Sequence, residues 1–584
     1  MKTIIVFFGL ILCVGHAQKS SLNIDKNYLL DNTGQERVFI HYNTSFALVG
    51  EYLYYKFYCL ETKTNRLSNI SKIGYVELIG ENGERIFKQK VRLDKGLGQG
   101  DFFLPVSTIS GNYKLVGYTQ WMRNWGQDTF FKADISIINP YNNNQRRVMN
   151  RNGSTPGIGG NEGLEVDLKI REKPLKLSVG KKNVGKREAV SITLDDDFQK
   201  VPKGSYSLSV HKTEHFFPDL KTSTESYIER YKTFPDSPDQ LIFPELRGEL
   251  IYGKITSTTP GQSVNNLKVS LSIPGEDYQL QIARTDEAGR FYFNISKEYQ
   301  SEKALLQILD EEDIEYKIEK VNMPSAIDYK KLKFQPFELL SNMNSKIQQH
   351  SVQNQIENAY FNVKPDTIIT SSSTQKFYGE NGETFLLDDY TRFTTVRETA
   401  LEILKNVWIN KREDNKYEFG LRSVNGEFAR SEYPSLLIVD GVVVQDQNQF
   451  ISNFNATKIK SITTVRNQYR KGAQIFDGVI DVQTFDSNYV EISNNRNLVF
   501  VNLDKPASAK SYFRQVYNEN SSVLLQRIPD QRRQLLWMPN LRIDGEKKSI
   551  TFFTSDVKGD FEISLEGFTE TGTPVSLKEI ITVN

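Results

Sequence analysis

The sequence predicts a mainly β protein with one α/β domain. Three observations carry that prediction. First, Tyr and Phe number 28 and 35, and β-branched residues recur in short alternating runs, as strands buried on one face require. Second, one stretch, about 363–487, mixes a capped helical pattern with short apolar runs. Third, 584 residues exceed what one hydrophobic core organises, so roughly three to five domains are expected.

Along the chain, residues 20–140 read as a β-sandwich. Residues 75–79, then Glu81-Asn82-Gly83-Glu84, then 86–93 form a hairpin signature with Asn-Gly at the turn. Phe131, Ala133, Ile135 and Ile137 alternate with Lys132, Asp134 and Ser136, as in a half-buried strand. Residues 141–163 are rich in Asn, Arg and Gly without periodicity and read as a linker. Strand patterns resume at 164–210, giving a second sandwich and linker over 164–245. A third β unit spans 246–323, where Leu267, Val269, Leu271 and Ile273 alternate with polar residues.

Residues 324–362 form a connector. Within it, 337–362 read as a long, mostly solvated helix anchored by Leu340, Met343, Ile347, Ile356 and Tyr360. In the α/β stretch, Thr395 and Glu398 make a capping box. The helix it opens places Val396, Ala400, Ile403 and Val407 on one face. Strands are expected at 435–439, 460–465 and 479–484, and the stretch should carry a core of ordinary single-domain size. The tail, 488–584, returns to β texture as a C-terminal sandwich, clearest at 550–554 and 561–565.

Charge and targeting narrow the function classes. Seventy-three basic against 72 acidic residues leave no electrostatic footprint for nucleic acid. Lys2, the apolar run 4–14 and the small residues Gly15 and Ala17 make a secretory signal with cleavage expected before Gln18. Leu12 stands where a lipoprotein signal needs a small residue before Cys13, so an exported, unlipidated protein of the periplasm or outer membrane is expected. Cys59 is then the remaining cysteine, and a lone thiol makes no internal disulfide or cysteine metal cluster.

Few chemical motifs emerge. His211-Lys212-Thr213-Glu214-His215 has an inverted zinc-protease spacing. That chemistry needs a helix to bring both imidazoles to one metal, whereas 205–210 run in as a strand and Pro218 follows. Asp195-Asp196-Asp197 and Glu311-Glu312-Asp313 lack the alternating ligand spacing of a calcium loop and read as solvated turns. Trp121 and Trp125 flank Arg123, a pattern that suits sugar or peptide but suits a sandwich core better. No catalytic set, cofactor or metal site is expected, and the reading is not an enzyme.

Four stretches resemble known families. Tyr75-Val76-Glu77-Leu78-Ile79, Leu104-Pro105, Gly111-Asn112-Tyr113 and Tyr118-Thr119-Gln120-Trp121-Met122-Arg123-Asn124 resemble the macroglobulin-type sandwich of alpha-macroglobulin-like bacterial proteins. Gly253-Lys254-Ile255 with Thr285-Asp286-Glu287-Ala288-Gly289-Arg290-Phe291 resembles a carboxypeptidase-regulatory-like sandwich. Pro434-Ser435-Leu436-Leu437-Ile438-Val439-Asp440-Gly441-Val442, Ile459-Lys460-Ser461-Ile462 and Gly472-Ala473-Gln474-Ile475-Phe476-Asp477-Gly478-Val479-Ile480 resemble, in order, the plug domain of TonB-dependent outer-membrane receptors. Trp537-Met538-Pro539-Asn540 with Thr554-Ser555-Asp556 resembles a closing sandwich of the macroglobulin-like group.

These resemblances imply tandem immunoglobulin-like β-sandwiches plus a plug-like domain. They imply that Asp440-Gly441 makes a tight turn after a strand and that Gly478 admits a close chain approach. About a hundred residues follow the plug-like stretch, where a receptor barrel would need hundreds, so no large pore of its own is expected. The macroglobulin resemblance raises protease trapping, but Tyr58-Cys59-Leu60-Glu61 is no thioester setting, so no thioester-linked protease is expected. The function expected is a non-catalytic envelope scaffold that engages a periplasmic or outer-membrane partner, such as an outer-membrane channel, through the plug-like domain. Its alternatives are a non-covalent protease inhibitor and a carbohydrate-binding component of a nutrient-uptake system.

Overall fold

In the first sandwich, a three-stranded sheet (Glu36–Tyr42, Tyr52–Glu61, Leu97–Phe103) packs on a five-stranded one (Phe46–Leu48, Phe131–Ile138, Gly111–Tyr118, Ile73–Gly80, Arg85–Arg92). The computed structural model describes residues 33–584 apart from 143–144, 146–147, 149–174, 196–200, 216, 218–219, 232–240, 276, 310–315, 321–325, 370–375, 425–432, 490–497 and 518–525. The expected signal peptide, with Cys13, lies outside the described residues, as do Asp196, Asp197 and Glu311 to Asp313. Aromatic side chains fill the first core, with Phe39, Tyr55, Phe57, Tyr58, Tyr118 and Phe131 fully buried. Burying such side chains contributes about 1.5–3 kcal/mol each. Cys59 sits buried among them.

The second sandwich corrects the expected domain map. Ala189–Asp195 pairs with Lys548–Phe553, and Gly204–Lys212 is sandwiched between Gln534–Ile543 and Gly559–Thr569. The segment near 175–212 and the tail are therefore one discontinuous sandwich, not two. The reason lies in the edges: each segment alone would leave unpaired backbone groups along its strands, and each supplies the other's partners.

The third sandwich is interrupted in the same manner. Arg290–Ile295, Glu249–Ser257 and Tyr316–Lys320 form one sheet. Gln279–Arg284, Lys268–Ile273 and Lys303–Leu309 form the other, which Leu498–Asn502 joins as an edge strand from beyond the α/β domain. The domains are thus nested. The α/β domain is inserted into the third sandwich, and the third sandwich is inserted into the second.

The connector helix is shorter than expected, Asn344–Ala359 preceded by a 3₁₀ turn, and most of its residues are exposed as expected, but one stripe with Ile347, His350, Ser351, Gln353 and Asn354 is buried. Met343 and Ile347 pack with Phe46, Leu48 and Phe217. Asn354 Nδ2 donates to the carbonyl of Val49 at 3.1 Å, Asn358 Nδ2 to that of Gly50 at 2.8 Å, and Arg533 Nη1 to Gln353 Oε1 at 2.9 Å. Part of the Gln- and Asn-rich composition that suggests a solvated helix also supplies hydrogen bonds at a domain junction. These satisfy backbone groups that burial would otherwise penalise.

In the α/β domain, strands run in the order Glu383–Leu386, Ile459–Lys471, Gln474–Thr484, Leu436–Val439, Val442–Val443. One face carries helices Val396–Glu402 and Gln447–Asn453 over Leu437, Val439, Ile459, Ile462, Ile480 and Val482. The opposite face, with Leu436, Ile438, Val443, Phe476 and Val479, packs on Leu280, Ile282 and Leu309 of the third sandwich. Burial on both faces explains why residues 436–439 are continuously apolar rather than alternating. Val407 departs from the expected helix: the helix ends at Glu402, Asn406 takes φ +64°, and Val407–Lys411 is a strand.

Candidate functional site

Asp440 and Gly441 are the whole loop of a two-residue hairpin, since Val439 pairs with Val442 and Ile438 with Val443. Their φ angles are +50° and +85°, the pair of left-handed residues that such a turn demands and that Asp-Gly accepts. The Asp440 carboxylate, 3% exposed, accepts from the Thr484 amide at 2.8 Å, the Thr484 hydroxyl at 2.6 Å and the Tyr489 amide at 3.1 Å. The turn is thereby fastened to the end of a neighbouring strand.

Gly441 also lies against the third sandwich, where a β-carbon would fall 2.4 Å from Cβ of Tyr278. Gly478 has φ +92°, and a β-carbon there would lie 2.6 Å from the Val465 carbonyl. It faces the register shift between Val465 and Gln468, so the bulge and the glycine belong together. All three positions shape the domain from inside and present no side chain to a partner.

The sheet of the α/β domain has an edge strand with exposed apolar side chains near it. Among the described residues, Glu383–Leu386 pairs with Ile459–Lys471 on one side only. Around it Leu386 is 50%, Tyr390 45% and Phe485 51% exposed. Arg392 holds this corner together: its guanidinium lies 5.0 Å over the Phe485 ring and donates to Asp388 and to the carbonyl of Ile459. An open strand edge beside exposed apolar side chains is suited to pairing with another polypeptide.

The other sequence motifs find structural roles. His211 lies within the strand Gly204–Lys212, Glu214 is ion-paired with Arg533, and the exposed His215 bonds Asp560 at 2.9 Å. No group of three metal-ligating side chains occurs among the described residues. Trp121 is fully buried and donates to the carbonyl of Gly34, with Trp125 edge-on at 5.1 Å.

Sequence reasoning missed a buried ionic junction. His350 Nε2 lies 2.6 Å from Glu51, its Nδ1 lies 3.4 Å from Glu214, and Arg533 pairs with Glu214. Burial raises the Glu51 pKa, but His350 and Arg533 outweigh it and hold the carboxyl at about 2. These residues come from four distant stretches, so no local spacing marks them.

No family model matches the chain, and no curated protein matches it. Solved structures similar to it include Salmonella alpha-2-macroglobulin reacted with methylamine, at 7% identity and TM-score 0.24, covering 94% of this chain and 40% of that one. The native conformation of Escherichia coli alpha-2-macroglobulin is similar at 9% identity and TM-score 0.23, covering 95% and 40%. Dimeric latent PorU from Porphyromonas gingivalis is similar at 9% identity and TM-score 0.14, covering 94% and 34%. The chain spans about 40% of the length of the macroglobulins it matches. At these TM-scores the likeness carries no argument about arrangement or activity.

Proposed function

We propose that this protein is a non-catalytic, exported scaffold of the bacterial cell envelope, engaging another envelope protein through its plug-like α/β domain. An outer-membrane channel is the partner to test first, as the resemblance of residues 434–480 to receptor plugs implies. The observation that carries the reading is the open edge Glu383–Leu386 with Leu386, Tyr390 and Phe485 exposed beside it. Clustered exposed apolar side chains of this kind mark interaction surfaces. The proposal includes no covalent step, since Cys59 is buried inside the first sandwich.

The test is affinity purification from detergent-solubilised envelope, with bound proteins identified by mass. Wild-type protein should recover an outer-membrane barrel, and Leu386→Asp with Phe485→Asp should lose it while circular dichroism stays unchanged. Equal recovery by the double variant would move the binding surface to the sandwiches. A protease in place of a barrel would favour the non-covalent inhibitor reading.

A further inference from the structure

The strands Tyr52–Glu61 of the first sandwich and Gln534–Ile543 of the second flank a cleft of about 150 Å³, closed at one side by the end of the connector helix. Aromatic faces line it. Tyr52 stacks on Phe361 at 5.6 Å and 12°, and Tyr54 stacks on Trp537 at 6.0 Å and 29°. Tyr512 meets Tyr54 edge-on at 5.1 Å.

Three residues lining this cleft each carry a buried polar atom without a hydrogen-bond partner among the described residues: Arg533 Nε, Trp537 Nε1 and Gln534 Oε1. The rest of the Arg533 guanidinium is held, Nη1 by Gln353 and Nη2 by Glu214. Trp537 is 4% exposed, so its N–H gains little from bulk water. A buried donor or acceptor left unpaired is destabilising, and such groups call for an explanation.

Charge selects among the ligands that could satisfy them. The lining cations are already neutralised: Lys364 pairs with Glu357 at 2.5 Å, Arg532 with Asp530 at 2.7 Å, and Arg533 with Glu214. Glu51 is held by His350, but Asp366 also lines the cleft, accepting from the Phe513 amide at 2.9 Å, so an anion would meet its carboxylate. A cation would leave the free N–H groups of Arg533 and Trp537 without acceptors. What remains is a neutral molecule that both accepts and donates and has an apolar face to lay on aromatic rings.

We propose that this cleft binds a neutral sugar residue of pyranose size. Its hydroxyl oxygens accept from Arg533 Nε and Trp537 Nε1, one hydroxyl donates to Gln534 Oε1, and its C–H face lies on the tyrosine and phenylalanine rings. The site joins the first and second sandwiches and is independent of the α/β domain's role.

Saturation-transfer difference NMR on the full chain tests this with glucose, galactose, mannose and N-acetylglucosamine, using glycine betaine and citrate as charged controls. At least one sugar should bind saturably, and neither control should. Trp537→Phe keeps a ring but removes the N–H, and should weaken that sugar about tenfold or more. Phe361→Ala, at a residue 41% exposed whose loss spares the core, should weaken it several-fold in a folded protein. Absence of saturable binding by all four sugars, preference for either control, or unchanged affinity in both variants would overturn the proposal.

Discussion

Gly441 and Tyr278 touch across the seam between the α/β domain and the third sandwich, with room for no β-carbon between them. Tyr278 is fixed in place: its hydroxyl donates to the buried Asp481 carboxylate at 3.0 Å, which also accepts from Tyr378 at 2.6 Å and Lys376 at 2.8 Å. Gly441→Val should therefore fail twice, through a left-handed φ that a β-branched residue avoids and through collision with Tyr278. The backbone term alone costs about 1–3 kcal/mol. Limited proteolysis should show cleavage within the α/β domain while the first sandwich stays intact. Wild-type digestion kinetics would show that the seam yields without penalty.

The same seam sets the smallest foldable unit. A fragment of residues 362–487 would expose Leu436, Ile438, Val443, Phe476 and Val479, which the third sandwich covers in the whole chain. It should bind hydrophobic dyes and give a poorly dispersed amide spectrum. A fragment of 246–503 keeps that cover and the edge strand Leu498–Asn502, and should give a dispersed one. A well-dispersed spectrum from the shorter fragment would show that the helices alone suffice.

What was legible in the sequence was local. The Asn-Gly hairpin, the Thr395 cap and the run 436–439 each depend on neighbours within a few residues, and the chain forms them where its pattern places them. Val407 misleads because helical periodicity continues past Glu402, where the helix ends, and the chain turns at Asn406, whose side chain tolerates a positive φ, into a strand. The pairing of Tyr206 with Leu541 could not be read at all. Nothing in an alternating strand names which distant strand supplies its partner, so two halves of one sandwich look like two domains. The His350 junction is hidden for the same reason.

Cys59 offers a simple check on the first core. Burial pushes its thiol pKa well up, and neighbouring Glu36 adds to the shift, so little reactive thiolate forms near neutrality. Comparing wild type with Cys59→Ser, Ellman's reagent should find no difference in native protein and one thiol in guanidinium chloride. Rapid reaction of the native thiol would mean that the strand Tyr52–Glu61 opens readily.

Two buried carboxyls should contribute a stability that falls as pH rises through neutrality. Burial raises Glu245 to about 8, with nearby Glu249 adding to the shift against the opposing Leu250 amide, Lys90 and Tyr75. Burial likewise raises Glu566 to about 7. In the unfolded chain both lose their protons near pH 4.5, so between there and 7–8 the unfolded state binds fewer protons than the native one. The stability contributed by these two groups is therefore full below about pH 4.5 and declines as pH rises to 8, by at most about 1.4 kcal/mol per pH unit for each group. Glu245→Gln keeps an acceptor for Leu250 and Tyr75 but cannot ionise. Denaturant unfolding at pH 5 and pH 8 should show the variant losing less stability than wild type over that interval, with the Glu566 slope remaining below pH 7. Parallel losses in the two proteins would show that Glu245 ionises in the native state as it does in water, which its burial beside Tyr75 and Glu249 argues against.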